Sequence, residues 1–354
     1  MSSSFRARTA LIGASVALLI AASPIVAQSP SPMTSAAPGA PDLTGTALTV
    51  YSGRSESLVG PLLERFEAAT GADLDVRYGD SAELAALLLE EGDRSPADVF
   101  FSQDAGALGA LAGAGLLAPL AQATLDQVPP GFRDPAGSWV GLSGRARVLA
   151  WSTERLAEAD LPASVTDLTD PAWKGRIGWA PTNASLQSFV TALRVLAGED
   201  AARTWLDGIM ANEPVVYEGN AQAVEGVAAG EVDVVLTNHY YVMRLLAENG
   251  DAYPVANHFF PAGDPGALVN VAGAGALASS DTPEASAALI GWLLGPEAQA
   301  YVATGTFEYP LVAGVAADPR LPALDAIGSP LVDLGQLADL QGTVALLQEV
   351  GALD

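Results

Sequence analysis

Residues 47–104, ALTVYSGRSESLVGPLLERFEAATGADLDVRYGDSAELAALLLEEGDRSPADVFFSQD, decide the fold class. Leu48–Tyr51 sets apolar positions among polar neighbours and predicts a first strand. Ser55 stands where a helix cap is needed. Val59, Leu62, Leu63 and Phe66 then recur at i, i+3, i+4 and i+7, and Gly71 ends the run. Asp73–Tyr78 alternates again as a second strand, and Ser81–Glu91 carries Leu84, Leu87 and Leu88 on one helical face. Asp98–Phe101 predicts a third strand, followed by a Gly/Ala-rich helix through Leu108 and Leu111. This β-α-β-α-β order predicts a parallel, doubly wound sheet with helices on both faces. Ligands bind at the carboxyl ends of such strands, here Ser52–Ser55 and Ser102–Asp104.

Beyond this stretch, Val140–Ser152 reads as a long strand interrupted at Ser143, Gly144 and Arg145. A second α/β unit follows. Strands are predicted over Arg176–Trp179, Val215–Tyr217 and Val232–Leu236, with helices over Leu186–Leu196, Ala201–Met210 and Ala221–Ala229. A Gly-rich strand lies within Asp264–Ala276. Helices then follow over Ala285–Leu294, Glu297–Ala303, Leu334–Leu340 and Thr343–Val350. There is no internal repeat and no linker between the units. The expected architecture is therefore α/β, with two doubly wound lobes joined by crossing strands. The lobes are assigned to 46–142 with 270–322, and to 143–269 with 323–354.

The chain of 354 residues is half hydrophobic and 16% charged, ample for a two-lobed core and unlike a disordered protein. Arg6 and Arg8, the 13-residue apolar segment Ala10–Ala22 and small residues up to Ala27 read as a secretory signal peptide over 1–27. Residues 28–45, rich in Ser, Pro and Ala, read as a leader or tether. The expected location is periplasmic or extracellular. The chain has no cysteine, which excludes disulfides, thiolate metal sites, cysteine nucleophiles and cysteine-linked lipid anchors. A net charge of −25 repels phosphate backbones and argues against nucleic-acid partners.

The chemistry concentrates in Thr237-Asn238-His239-Tyr240-Tyr241. Adjacent strand residues point to opposite faces, so the two tyrosines converge only if the chain turns there. A strand-to-helix turn allows it, and the partial positive charge of a helix N-terminus favours phenolate over phenol. Two phenolates are hard oxygen donors suited to a trivalent cation such as Fe³⁺. The competing reading is two aromatic side chains anchoring a helix on the core.

Eight segments, in order, resemble the periplasmic ferric-iron-binding proteins of ABC transporters, which are two-lobed extracellular solute-binding proteins of the type II periplasmic-binding-protein fold. They are Val50–Arg54, Glu90–Phe100, Leu142–Val148, Pro171–Gly178, Gly230–Asp233, the Tyr240-Tyr241 pair, Asp264–Val269 and Glu308–Leu311. The resemblance runs from about Leu48 to the end. It implies that Tyr240 and Tyr241 ligate iron in the cleft between the lobes. It further implies an ABC permease in the membrane as partner, and no enzymatic activity. The chain is expected to act as a monomer.

Two of the family's ligand positions differ here. Ser55 stands where many members carry a histidine, and Gln103 where they carry a glutamate; Glu56 and Asp104 beside them read as helix-start and helix-cap residues. Trp151 stands where some members use a tyrosine, and its indole N–H cannot coordinate iron. Fe³⁺ with two phenolates carries net charge +1 and wants about four more donor atoms, which a synergistic anion such as bicarbonate, phosphate or citrate can supply. Arg54, at the end of the first strand, is expected to clamp that anion by bidentate hydrogen bonding. The resemblance places further anion contacts at Asn183, Ser185, Asn220 and Asn238, around a helix N-terminus. Thr182 and Arg145 are further cleft candidates, with Ser55, Gln103 and Trp151.

His239 is expected to face outward or satisfy a loop carbonyl rather than bind metal, with a supporting or pH-sensing role beside the tyrosines as the alternative, and His258 to be structural. Leu142–Arg147 and Val269–Ala274 are the expected hinge strands. A second reading keeps the fold and binds an oxyanion or small organic anion without metal. Enzyme motifs such as G-x-S-x-G, H-E-x-x-H and the P-loop lysine are absent.

Overall fold

The computed structural model describes residues 41–353. The signal peptide, and the leader as far as residue 40, lie outside the described residues. The first α/β unit forms as the sequence predicts: β1 (Ala47–Ser52), α1 (Glu56–Thr70), β2 (Asp73–Tyr78), α2 (Ser81–Glu91), β3 (Val99–Ser102) and α3 (Ala105–Gly113). β1 pairs with β2 and β3, all parallel. Gly71 ends α1 at φ 75, a left-handed conformation that only glycine adopts without strain. Ser55 occupies the N-cap of α1, but its hydroxyl makes no capping bond.

A short helix α4 (Gln122–Leu125) leads to β4 (Val140–Ser152). β4 is continuous, against the expected interruption. It absorbs its irregularity as a one-residue register shift between Gly141 and Ser143. Its first half pairs antiparallel with β9 (Val269–Ala276), which in turn pairs with β3. Its second half enters the sheet of the second lobe. That lobe contains β5 (Ile177–Trp179), α5 (Ala184–Ala197), α6 (Glu199–Ala211), β6 (Val215–Val216), α7 (Asn220–Ala229), β7 (Val234–Asn238), α8 (His239–Asn249) and β8 (Val255–His258). The strand order through both sheets is β2-β1-β3-β9-β4-β7-β5-β6, with β8 also on β4. The sequence reading missed β8, which is short and half-buried with a polar C-terminal half.

The hydrophobic alternation assigns each strand residue to a core. In the first lobe, Leu48, Val50, Phe66, Leu88, Phe100 and Leu108 pack with Leu289 of α9 (Pro283–Leu293). Burying a side chain such as Phe66 stabilises the fold by about 1.5–3 kcal/mol. In the second lobe, Leu149, Val234 and Leu236 face a core with Phe189 and Trp205, while Ala150 and Val235 face Val224, Val227 and Val242 on the opposite side. This is a sheet covered on both faces, with period-2 side chains feeding two layers.

After α9 come α10 (Pro296–Tyr301), a π-helical turn Val302–Thr306, β10 (Tyr309–Pro310) paired with β4, and α11 (Leu340–Glu349). Leu334 and Leu337, expected with the second lobe, pack into the first core. The reason is local. Gly106 and Gly109 let α3 approach the 3₁₀ turn Leu334–Ala338 so closely that a Cβ at Gly106 would lie 2.5 Å from the Leu337 carbonyl oxygen, and one at Gly109 2.7 Å from that of Gly335. Gly106→Ala is therefore expected to cost about 1–3 kcal/mol, read as a lower urea midpoint at unchanged m-value.

Candidate functional site

β7 ends at Asn238 and α8 begins at His239 with no intervening loop. Tyr240 and Tyr241 therefore lie in the first turn of a helix rather than on a strand end, and their rings stack with centroids 4.3 Å apart at 30°. Tyr240 is fully buried, and its hydroxyl has no hydrogen-bond partner. Tyr241 keeps an edge on solvent. Burial first, and then the neighbouring Tyr240, push the Tyr241 phenol above its ordinary range, with Asn220 and Arg54 acting in the opposite direction. Without a cation, Tyr241 is held as a phenol.

Two buried arginines, Arg54 and Arg147, interact with the pair, and a third buried arginine, Arg145, neighbours Arg147 and His239. Arg54 donates from Nη2 to Glu308 Oε1 at 2.7 Å, and its Nε and Nη1 are unpartnered. Burial acts to lower Arg54, but Glu308 and the two tyrosines outweigh it and hold the guanidinium above its usual value. Arg147 donates to Ser185 Oγ at 3.3 Å and to the Leu236 carbonyl at 3.2 Å, and lies over the Phe189 ring. Burial and Arg145 pull it down to about 9, which leaves it charged at neutral pH, and both tyrosines act to stabilise that charge. Arg145 donates from Nη2 to the Val271 carbonyl, with Nε and Nη1 unpartnered. Its charge offsets part of the burial that raises Asp104.

The expected anion contacts assemble on the same side. Asn183 caps α5: its Oδ1 accepts from the Ser185 N–H at 3.0 Å, from Ser185 Oγ at 2.7 Å and from Asn220 Nδ2 at 3.1 Å. Asn238 is buried with Nδ2 unpartnered. Asp104 caps α3 through Oδ1, as its position predicts.

Among the described residues, the remaining candidates make no side-chain hydrogen bond to this cluster. Trp151 pairs with Val234 at the far end of the β4–β7 ladder, four residue pairs from Arg147 and Asn238, and packs beside the second core. Ser55 and Thr182 are exposed, and Ser55 Oγ meets only Ser57 Oγ at 3.3 Å. Gln103 is half-buried, and its backbone N–H donates to Ser81 Oγ at 2.8 Å. Glu56 is exposed in the first turn of α1.

His239 is fully buried. Its Nδ1 accepts from the Ala146 N–H at 3.2 Å, so Nε2 carries the proton and donates to the Phe307 carbonyl at 2.8 Å. Burial brings its pKa down to about 4, so the ring is a neutral brace. His258 binds the Pro162 carbonyl at 3.2 Å. Two residues of the cluster, Arg147 and Glu308, were not singled out from the sequence. The signal for Arg147 is its alternation with Arg145 on an otherwise apolar or small-residue strand, because a buried guanidinium must face a partner. Glu308 offers no signal without knowing that Arg54 is opposite.

Residues 94–327 match the family model described as bacterial extracellular solute-binding protein. The Fe(3+)-binding periplasmic protein of Serratia marcescens is 36% identical over 308 residues, 86% of this chain and 90% of that protein. The chain belongs to the bacterial extracellular solute-binding protein family. Among solved structures, iron-bound HitA from Pseudomonas aeruginosa matches with TM-score 0.82 at 36% identity, covering 86% of this chain and 99% of that one. The Trichodesmium protein IdiA/FutA, in complex with iron and citrate, matches with TM-score 0.74 at 30% identity over 86% and 99%. The fold is thus the α/β type II periplasmic-binding-protein architecture, and this solute-binding protein is a transport component, not an enzyme. A further relative, the major ferric iron-binding protein of Neisseria meningitidis, is 34% identical over 324 residues, 90% of this chain and 96% of that protein.

Proposed function

We propose that this solute-binding protein captures Fe³⁺ outside the cytoplasm through the Tyr240 and Tyr241 phenolates and a synergistic anion, and delivers it to an ABC permease. The observation that carries the reading is the stacked tyrosine pair at a helix N-terminus, Tyr240 buried and Tyr241 reaching solvent, beside unpartnered donors of Arg54, Arg147 and Asn238. Among the described residues no three His, Cys, Asp or Glu side chains group to hold a metal. The protein's hard anionic donors are then the phenols, and the surplus guanidinium charge calls for an anion from solution. Citrate in the Trichodesmium relative is in keeping with this. Binding Fe³⁺ displaces phenolic protons, so affinity falls as pH falls.

The metal-free alternative uses the same donors, with the phenols as hydrogen-bond donors to an oxyanion. A visible titration with ferric citrate, with and without bicarbonate, separates the two. The ferric reading expects a broad phenolate-to-iron charge-transfer band. Absence of a band, together with stabilisation by the anions alone, would replace it with the metal-free one.

A further inference from the structure

We infer that Glu308 is a positioning residue of the cleft. It acts through Arg54, and it sets the charge of the anion that the site accepts; the inference rests on the ferric reading above. Glu308 is 2% exposed and is the carboxylate that pairs with Arg54, at 2.7 Å. Its other oxygen accepts from Ser143 Oγ on β4 at 2.8 Å and lies 3.3 Å from Thr306 Oγ1, whose proton is shared with the nearer Val302 carbonyl at 2.8 Å. The void beside the pair is about 10 Å³, at the lower limit for one water, so solvent does little to screen it.

The backbone that delivers Glu308 is unusual. It leaves the π-helical turn Val302–Thr306 through Phe307 at φ 57, a left-handed conformation uncommon for an aromatic residue. The Phe307 carbonyl is the one bound by His239, the residue directly before the tyrosines. The two-residue step Phe307-Glu308 thus braces the tyrosine helix through one residue and the arginine through the next. Held this way, Arg54 cannot swing toward a ligand. It presents Nε and Nη1 in a fixed direction, with its charge already offset by one carboxylate. Arg147 has no carboxylate partner and keeps its charge in full. Removing the Glu308 charge leaves one more uncompensated cation in a water-poor site, which favours a more highly charged anion.

The test compares the purified parent with Glu308→Gln, Arg54→Gln and the double variant. Each is titrated with Fe³⁺ in bicarbonate or in citrate, and each fold is checked by thermal melting. Glu308→Gln is expected to shift the preference at least about tenfold toward citrate, the size of one unit of charge roughly 12 Å from the lost carboxylate at an effective dielectric near 20. The shift should vanish when Arg54→Gln is added. If Arg54→Gln does not fold, the double variant, which strands no charge, decides alone. An equal loss with both anions, or a shift that persists in the double variant, overturns the proposal. A parent with no charge-transfer band fails the ferric reading itself, before any variant is considered.

Discussion

Tyr240→Phe is expected to abolish the ferric charge-transfer band and weaken iron binding by more than about 100-fold, while leaving the metal-free protein at least as stable as the parent. Loss of a residue that merely orients a metal ligand costs about 10–100-fold, so loss of a ligand should exceed that. The stability half of the prediction follows from the hydroxyl, which is buried and has no hydrogen-bond partner. An unsatisfied buried polar group carries a penalty of about 1–3 kcal/mol, and phenylalanine removes it without opening a cavity. Tyr241→Phe is expected to lose iron likewise, with a smaller stability change because its ring is partly exposed. The stability outcome follows from the hydroxyl in either case; a pair that only anchors α8 predicts no change in iron binding, so the affinity decides. If both variants retain iron as the parent does, the ligand assignment is wrong.

The largest expected effect on folding is that of Arg54→Met. Glu308 would keep its Ser143 donor but lose its counter-charge. Breaking a buried pair from one side costs about 3–5 kcal/mol, because the remaining ion is uncompensated, whereas replacing both members by apolar side chains is often neutral. Chemical denaturation should therefore show a sharply lower midpoint for Arg54→Met and near-parental stability for Arg54→Met with Glu308→Met. Equal melting of the parent and the single variant would mean that water reaches Glu308 and the pair is not the dry unit described above.

The sequence discloses the fold wherever a residue's role is set by near neighbours. The strand pattern of Asp73–Tyr78 and the Gly71 helix stop are local, and both lie where expected. The tyrosine pair and the Asn183–Ser185 turn are local as well. What the sequence hides is what distant segments create together. Ser143 and Glu308 are 165 residues apart, and Arg54 and Glu308 254 apart, yet they share one hydrogen-bond cluster. The apparent break in β4 also has a non-local answer: β9 and β10 pair across Gly144, so a glycine that punctuates an isolated segment is held in the ladder by two neighbours. Trp151 shares the strand but lies four residue pairs from Arg147, a spacing that only the register reveals.

β4 runs unbroken through both sheets, with Ser143, Arg145 and Arg147 alternating on one side beyond its bulge. A strand shared in this way behaves as a leaf spring rather than a pin joint. Rotating one lobe against the other bends it, and bending changes the spacing of the groups mounted along it. Under the proposed function, the cationic grip on an anion would then be tightened or slackened by curvature alone, and unloading would need only a mechanical strain on the strand, with no exchange of one side chain for another.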